Sequence, residues 1–221
     1  MYTILRWFAL IQGFPAQLLF FKRKTYYEKG APRKPWRRGG ALIISNHFSL
    51  LDYMMNMFVV LPRRLNVVAS EHAFRNRFVA FGMRFFGGIQ ADRVTKNMKF
   101  MDNSAEVIRK GHLVQIFPEG HNTDDGTIKP FSQSYIVIAY RAEAPIIPIV
   151  TDGNYGFFKR AHIIVGKPIH LSELITSTPD VRRTPTRAER ENVNELIFNK
   201  VLSLREELET LKAQDKQART R

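Results

Sequence analysis

The chain has 221 residues, no cysteine and a formal net charge of +14. This length suits one α/β domain with an appendage, and it is sufficient to bury a sizeable core. Without cysteine the chain has no disulfide bond, no thiolate nucleophile and no cysteine-ligated zinc. The positive excess favours polyanionic partners, which include nucleic acid, anionic lipid and phosphorylated substrates.

Residues 1–38 combine an apolar run with a basic cluster. Residues 7–21, WFALIQGFPAQLLFF, carry no charge, whereas residues 22–38 are rich in lysine and arginine. A membrane-spanning helix needs about 20 apolar residues, and Gly13 and Pro15 weaken this shorter run as a helix. We therefore expect the segment to associate with an anionic membrane surface at its cytoplasmic face, in preference to a helix that merely caps the core.

From residue 39 onward, short apolar strands alternate with helices. The sequence predicts strands at 41–45, 64–69, 88–90, 113–117, 146–150 and 161–165. It predicts helices at 50–60, 74–85, 96–109 and 132–142. This alternation indicates an α/β fold with a largely parallel central sheet flanked by helices. The two prolines of APIIPIV, residues 144–150, taken alone indicate an edge strand.

The C-terminal part is predicted to be a linker followed by a docked helix. Residues 176–185 are polar and contain proline, and Thr186 and Glu189 have the spacing of a capping box. Apolar side chains then recur on one helical face, at Val193, Leu196, Ile197, Val201, Leu204 and Leu208. We expect residues 211–221 to fray in solvent. The predicted organisation is thus a membrane-associating segment (1–38), a core (39–175) and a linker with a docked helix (176–221).

Polar side chains follow the first buried strand of the core. Asn46 and His47 come directly after the predicted strand 41–45, and Asp52 lies in the next apolar element. Reactive groups of α/β proteins gather at the carboxyl ends of parallel strands. Ser49 and Asp52 have capping-box spacing, which also brings Asp52 within reach of the imidazole. An aspartate bound to one ring nitrogen makes the other a better base. The spacing alone favours helix capping and catalysis about equally.

Two more strand ends carry polar residues. Arg93 follows a short apolar strand in FFGGIQADR, where its planar guanidinium suits phosphate. Pro118, Glu119 and Gly120 follow another strand. Taken singly, Arg93 is more typical of a surface ion pair than of a phosphate ligand, and Pro-Glu-Gly is typical of a turn.

Together and in this order, these segments resemble the four motifs of the 1-acylglycerol-3-phosphate acyltransferase family, a family of glycerolipid acyltransferases. The resemblance extends over roughly residues 35–170. The sequence matches the motifs in turn with Asn46, His47 and Asp52; with GGIQADR, which ends in Arg93; with FPEG, residues 117–120; and with APIIPIV, in which Pro148 is central.

The resemblance implies transfer of an acyl group from acyl-CoA or acyl-carrier protein to the hydroxyl of a lysophospholipid. The usual acceptor is lysophosphatidic acid, which gives phosphatidic acid in phospholipid biosynthesis. The resemblance assigns general base catalysis to His47 and orientation of His47 to Asp52. It implies no cofactor and no metal ion. Substrate binding is assigned to Asn46, Arg93, Phe117, Pro118, Glu119 and Gly120.

The third motif departs from the family, because His121-Asn122 replaces Thr-Arg and so removes a phosphate-binding arginine. Lys129 is a candidate replacement for that charge. The acceptor is therefore lysophosphatidic acid or a lysolipid with another head group.

The main competing interpretation is a non-catalytic basic protein that binds membranes or nucleic acid. It explains the charge but not the pairing of His47 with Asp52. No nucleic-acid-binding module is recognisable, so no nucleic-acid partner is expected. The chain also lacks the G-x-S-x-G motif of serine hydrolases and the H-E-x-x-H motif of zinc proteases.

Overall fold

The computed structural model describes residues 7–9, 11–15, 22–49, 51–91, 99–123, 125–156, 159–175 and 184–220. In these ranges the strands are β1 Lys24–Tyr27, β2 Ala41–Ser45, β3 Leu65–Ser70, β4 Gly88–Ala91, β5 Leu113–Ile116, β6 Ile146–Thr151 and β7 His162–Val165. They form one seven-stranded sheet in the order β1-β7-β6-β2-β5-β3-β4. All neighbouring pairs are parallel except β6 with β7. The predicted largely parallel sheet is confirmed.

Helices cover both faces of this sheet. From residue 22 onward, those of the described ranges are α1 Leu51–Val59, α2 Arg77–Phe85, α3 Lys99–Arg109, α4 Ser134–Ala142 and α5 Arg187–Thr220, with short 3-10 helices at Glu71–Phe74 and Leu171–Glu173. Successive strand residues point to opposite faces. In β2, Leu42 and Ile44 pack in a core with α3, α4 and α5, whereas Ala41 and Ile43 pack in a second core under α1. The sheet is therefore the middle layer of three.

Strand β1 was not predicted. Its four residues lie inside the basic cluster of residues 22–38, yet they extend the sheet at one edge by parallel pairing with β7. Trp36, in the same cluster, is also buried. Basic residues here are therefore interspersed with side chains and main chain that belong to the folded core.

Strand β6 is central, so the edge-strand interpretation of its prolines is wrong. Pro148 pairs with Ile44 of β2, and its carbonyl accepts a hydrogen bond from Gly166 N at 2.9 Å. The N and C=O of a strand residue point to the same side, so the ring nitrogen faces β7 next to the last ladder pair, Ile149 with Val165. Pro148 and Gly166 therefore share one hydrogen bond, and the return bond that an N–H at position 148 would donate is missing just beyond the last β6–β7 ladder pair.

The capping box of α5 is confirmed, as Thr186 N donates to Glu189 Oε2 at 2.8 Å and Glu189 N donates to Thr186 Oγ1 at 3.3 Å. The predicted apolar face is confirmed for five of its members, but Leu196 is 56% exposed. The buried members are Val193, Ile197, Val201, Leu204 and Leu208.

The expectation that residues 211–221 fray is wrong for all but the last of them, which lies outside the described ranges. Helix α5 continues to Thr220. Near its end Asp215 forms an ion pair with Lys24 of β1, and Arg160 lies 3.9 Å away. The helix end is thus attached to the edge of the sheet.

The described part of the apolar N-terminal run is helical, at residues 7–9 and 11–15. Phe14 packs edge-on against Phe58 of α1, with ring centroids 6.2 Å apart. Phe8 and Ile11 are each 60% exposed. None of the helices in the described ranges has the length and apolar character needed to cross a membrane. This segment therefore contacts α1 on one side and presents apolar side chains on the other.

Candidate active site

One carboxylate, that of Asp52, both caps α1 and faces His47. Ser49 Oγ accepts from Leu51 N at 3.2 Å, and Asp52 Oδ2 accepts from Ser49 N at 2.7 Å, as in a capping box. The same Oδ2 accepts from Phe48 N at 2.7 Å and lies 3.2 Å from His47 Nδ1. Asp52 is completely buried. The two interpretations that the sequence left level are therefore compatible, because the capping geometry itself brings the carboxylate to the ring.

The second oxygen of this carboxylate is bound by Tyr155. The Tyr155 hydroxyl donates to Asp52 Oδ1 at 2.5 Å and lies 2.8 Å from Thr151 Oγ1. Since the single phenolic proton goes to Asp52, the Thr151 hydroxyl donates to Tyr155. Burial, together with the neighbouring Asp52 charge, raises the pKa of Tyr155 far above its ordinary value. Tyr155 is thus a protonated donor to the carboxylate.

Sequence reasoning did not identify Tyr155 or Thr151. Tyr155 and Asp52 are 103 residues apart in the chain. The available signal was position: Thr151 ends β6, and β6 lies beside β2, whose end carries His47. Residues that follow adjacent parallel strands meet at one edge of a sheet.

Asn46 joins the ends of these two strands. Its Nδ2 donates to Thr151 O at 3.0 Å, and its Oδ1 accepts from Thr151 N at 2.9 Å. Asn46 is completely buried. In this structure its side-chain amide binds the main chain of β6, so it holds the strand ends that carry His47 and Tyr155.

Glu119 supports His47 from the other side. It is 6% exposed, and its two oxygens accept from the backbone N–H groups of His47 and Lys129, each at 2.8 Å. Burial raises the pKa of Glu119, although the hydrogen bonds from Lys129 and His47 oppose that rise. The carboxylate therefore anchors the loop that carries the imidazole.

A cavity of about 340 Å³ opens at the carboxyl ends of β3, β4 and β5. Phe117 forms part of its wall and stacks on His47, with ring centroids 3.9 Å apart and planes 14° apart. The cavity therefore adjoins the imidazole through the Phe117 ring, and His47 itself does not line it. Pro118 is not part of the wall, and Arg93 lies outside the described residues. The remaining lining residues are Val68, Ala69, Ser70, Ala91, Phe100, Ile116, Glu119, Gly120, Ser132 and Ser134.

The chain after Gly120 is at first exposed, and Thr123 is then buried. His121 and Asn122 are exposed. Lys129 Nζ lies 2.6 Å from Asp125 Oδ2, so the candidate replacement charge is already paired. Hydrogen bonds from Lys129 and Thr127 lower the pKa of Asp125. In the part of the chain that the structure describes, no group of three or more histidine, aspartate or glutamate side chains is arranged to hold a metal ion.

A family model described as acyltransferase matches residues 23–152, more than half of the chain. The chain belongs to the acyltransferase family. The predicted family resemblance is confirmed.

Relatives of this acyltransferase share its sequence over different spans. It is 32% identical over 136 residues to human 1-acyl-sn-glycerol-3-phosphate acyltransferase beta, which covers 60% of the chain and 48% of the relative. It is 21% identical over 193 residues to the 1-acyl-sn-glycerol-3-phosphate acyltransferase of Bacillus subtilis (strain 168), and this match covers 85% of the chain and 90% of the relative. The chain thus spans about half of the human relative and most of the bacterial one.

A solved structure has the same fold. The crystal structure of the 1-acyl-sn-glycerophosphate acyltransferase PlsC from Thermotoga maritima matches with a TM-score of 0.56 at 18% identity. The match covers 84% of this acyltransferase and 73% of that chain. The predicted α/β fold class is confirmed.

Proposed function

We propose that the protein transfers an acyl group from an acyl thioester to the free hydroxyl of 1-acyl-sn-glycerol 3-phosphate, which gives phosphatidic acid. The observation that carries this proposal is the placement of His47 Nδ1 3.2 Å from the buried Asp52 carboxylate. The names of the human and bacterial relatives support the same acceptor.

His47 acts as the general base in this reaction. Asp52 accepts a hydrogen bond from Nδ1–H, which leaves Nε2 as the basic nitrogen. The acceptor hydroxyl gives its proton to Nε2 while its oxygen attacks the thioester carbonyl carbon. The carbon–sulfur bond then breaks, and the imidazolium protonates the departing thiolate. The products are a new ester and a free thiol, and no acyl-enzyme is formed.

The hydrogen-bonded groups around Asp52 keep its carboxylate aligned through this cycle. Tyr155 holds Oδ1, and the N–H groups of Phe48 and Ser49 hold Oδ2. The buried negative charge stabilises the imidazolium that forms during attack. Stacking on Phe117 restricts the ring to one plane. His47 is therefore preorganised before substrate binds.

The cavity beside His47 is the proposed acceptor site. Its polar wall includes the hydroxyl-bearing residues Ser70, Ser132 and Ser134. Ala91, at the end of β4, also lines it, and Arg93 follows two residues later in the sequence. Arg93 stays our predicted phosphate ligand. Because His121 and Asn122 stand where the family motif has Thr-Arg, a second candidate function is acyl transfer to a lysolipid with another head group.

The proposed location is the cytoplasmic face of a membrane, where a lipid acceptor resides. The exposed Phe8 and Ile11 of the N-terminal helical residues support this placement. The proposed donor is acyl-CoA or acyl-carrier protein, because the proposed reaction requires an acyl thioester.

The test is thiol release from a long-chain acyl-CoA in anionic vesicles, with lysophosphatidic acid, another lysophospholipid or no acceptor. Wild type should release thiol with lysophosphatidic acid. His47→Ala should lower the rate by about a hundredfold to ten-thousandfold. His72→Ala is the matched control, because His72 is exposed and lies outside the site.

The outcomes separate the candidate functions. Thiol release with the other lysophospholipid but not with lysophosphatidic acid would favour the second candidate function. Release that His47→Ala leaves intact would refute the proposed base. If acyl-CoA is inactive, the same assay is run with acyl-carrier protein, and failure with both donors would contradict acyl transfer.

A further inference from the structure

Helix α2 exposes most of its apolar side chains. Within this fully described helix, Ala80 is the single buried residue. Phe78 is 89% exposed and Phe81 is 65% exposed. A helix on the surface of a soluble protein normally turns its apolar face to the core. Large adjacent apolar side chains in solvent instead indicate an interaction surface.

The exposed side chains of α2 form an ordered pattern. The exposed Phe78 and Phe81 and the half-buried Phe85 have i, i+3, i+7 spacing and share one helical face, on which the rings of Phe81 and Phe85 lie 6.3 Å apart. Arg77 and Arg84, also seven residues apart and exposed, form an adjoining stripe. The sequence from 75 to 86 contains no acidic residue. An aromatic strip bordered by cations therefore runs along the helix.

This strip lies on the same side of the sheet as the N-terminal helical residues. The Tyr53 hydroxyl of α1 donates to Phe86 O at the end of α2, at 2.9 Å. Phe58 of α1 packs against Phe14. Met54 on α1 is itself 42% exposed. Three neighbouring segments thus present apolar side chains on this side of the molecule.

We propose that α2 is a membrane-contacting helix, with its Phe78, Phe81 and Phe85 strip inserted at the acyl boundary of an anionic phospholipid surface. Arg77 and Arg84 then lie at head-group level, where their positive charge complements anionic lipid. This charge complementarity identifies lipid as the partner. The inference rests on the proposed function, because a lipid acceptor requires the enzyme to meet a membrane.

The position of α2 gives this contact a consequence for substrate entry. The segment Glu71–Phe74 connects β3 to the start of α2, and Ser70, the last residue of β3, lines the cavity beside His47. Insertion of α2 therefore holds the cavity-bearing edge of the sheet close to the bilayer. A lysolipid then moves from the bilayer to the cavity over a short distance.

The test measures partition of the full chain onto vesicles of phosphatidylcholine and phosphatidylglycerol by cosedimentation. Phe78→Ala with Phe81→Ala should lower the partition coefficient by about ten to a hundred times, since two large apolar side chains are lost. Alanine retains helix propensity. The matched control is Leu196→Ala, which removes an exposed apolar side chain of α5 on the other side of the sheet, and it should leave partition unchanged.

A second pair of variants tests the arginine stripe. Arg77→Gln with Arg84→Gln should weaken binding to vesicles that contain phosphatidylglycerol by about five times or more and should leave binding to pure phosphatidylcholine unchanged. Equal binding of wild type and both double variants would overturn the proposal. A phenylalanine variant that loses self-association in light scattering but keeps vesicle binding would also overturn it, in favour of a second copy of the chain.

Two controls keep the result interpretable. Urea unfolding midpoints that match wild type show that the variants are folded. If the double phenylalanine variant is not folded, the single variant Phe81→Ala replaces it in the vesicle assay. His47→Ala should partition like wild type, so failure of the acyl-transfer proposal leaves this test intact.

Discussion

Tyr155→Phe removes the hydroxyl group that holds one oxygen of Asp52. That hydroxyl donates at 2.5 Å to a carboxylate with no solvent exposure. The other oxygen keeps its hydrogen bonds from Phe48 N and Ser49 N, so Asp52 should stay near its place. A hydrogen bond to a charged group contributes about 1.5 to 3 kcal/mol. Since a tenfold change in rate corresponds to about 1.4 kcal/mol, kcat/KM should fall by about 10 to 100 times.

The assay is thiol release with wild type, Tyr155→Phe, Asp52→Asn and the double variant. If Tyr155 acts through Asp52, Tyr155→Phe should cost less than about threefold in the Asp52→Asn background. Tyr135→Phe is the matched control, because this buried hydroxyl donates to Asn194 at 2.9 Å away from the site. It should lower the free energy of unfolding by about 1 kcal/mol and leave kcat/KM unchanged.

Two results would refute the reasoning. One is a Tyr155→Phe enzyme with kcat/KM within twofold of wild type. The other is a double variant whose loss of kcat/KM equals the product of the losses in the two single variants. Such independence would mean that Tyr155 does not act through the Asp52 carboxylate.

In urea unfolding, Gly153→Ala should lower the free energy of unfolding by about 1 to 3 kcal/mol more than Gly126→Ala does. Both glycines have a similar positive φ, but only a Cβ at Gly153 would meet another side chain, that of Phe48 at 2.8 Å. Equal losses would contradict this contact. Burial raises the pKa of Asp152, but hydrogen bonds from the His162 main chain and ring outweigh it, and the net pKa is lowered. The stabilisation of the fold by the ionised Asp152 carboxylate is therefore complete above the ordinary aspartate pKa of about 3.9. It is lost as the pH falls through the lowered pKa of Asp152. Asp152→Asn should thus reduce the free energy of unfolding at neutral pH, and the difference in this free energy between variant and wild type should become smaller in acid. A gap independent of pH would contradict this linkage.

Local patterns in the sequence predicted most of the elements. Strand β2 was predicted with its observed bounds, and the other predicted strands differ by a residue or so at their ends. The capping boxes at Ser49 and Thr186 were also readable, because their bonds join residues three apart. Helix α2 was predicted too early, at residue 74, because Glu71–Phe74 forms a 3-10 helix and Asn76 caps the later start.

Local sequence patterns did not predict the order of the strands in the sheet. Lys24 belongs to the basic cluster that was expected at a membrane, yet residues 24–27 complete the sheet edge next to β7. Pro148 follows an edge-strand rule but sits in a central strand, because its ring nitrogen points past the end of the β7 ladder. Both outcomes depend on which strand becomes the neighbour.

By itself the sequence determined the α/β alternation, the family motifs and the pairing of His47 with Asp52, because each depends on chain neighbours or on strand periodicity. Only the tertiary structure decided that Tyr155 completes the carboxylate's hydrogen bonds and that Glu119 holds the His47 backbone. These partners lie 103 and 72 residues from the groups they bind. They meet because β6 and β5 pack on either side of β2, which places the carboxyl ends of all three strands at one edge.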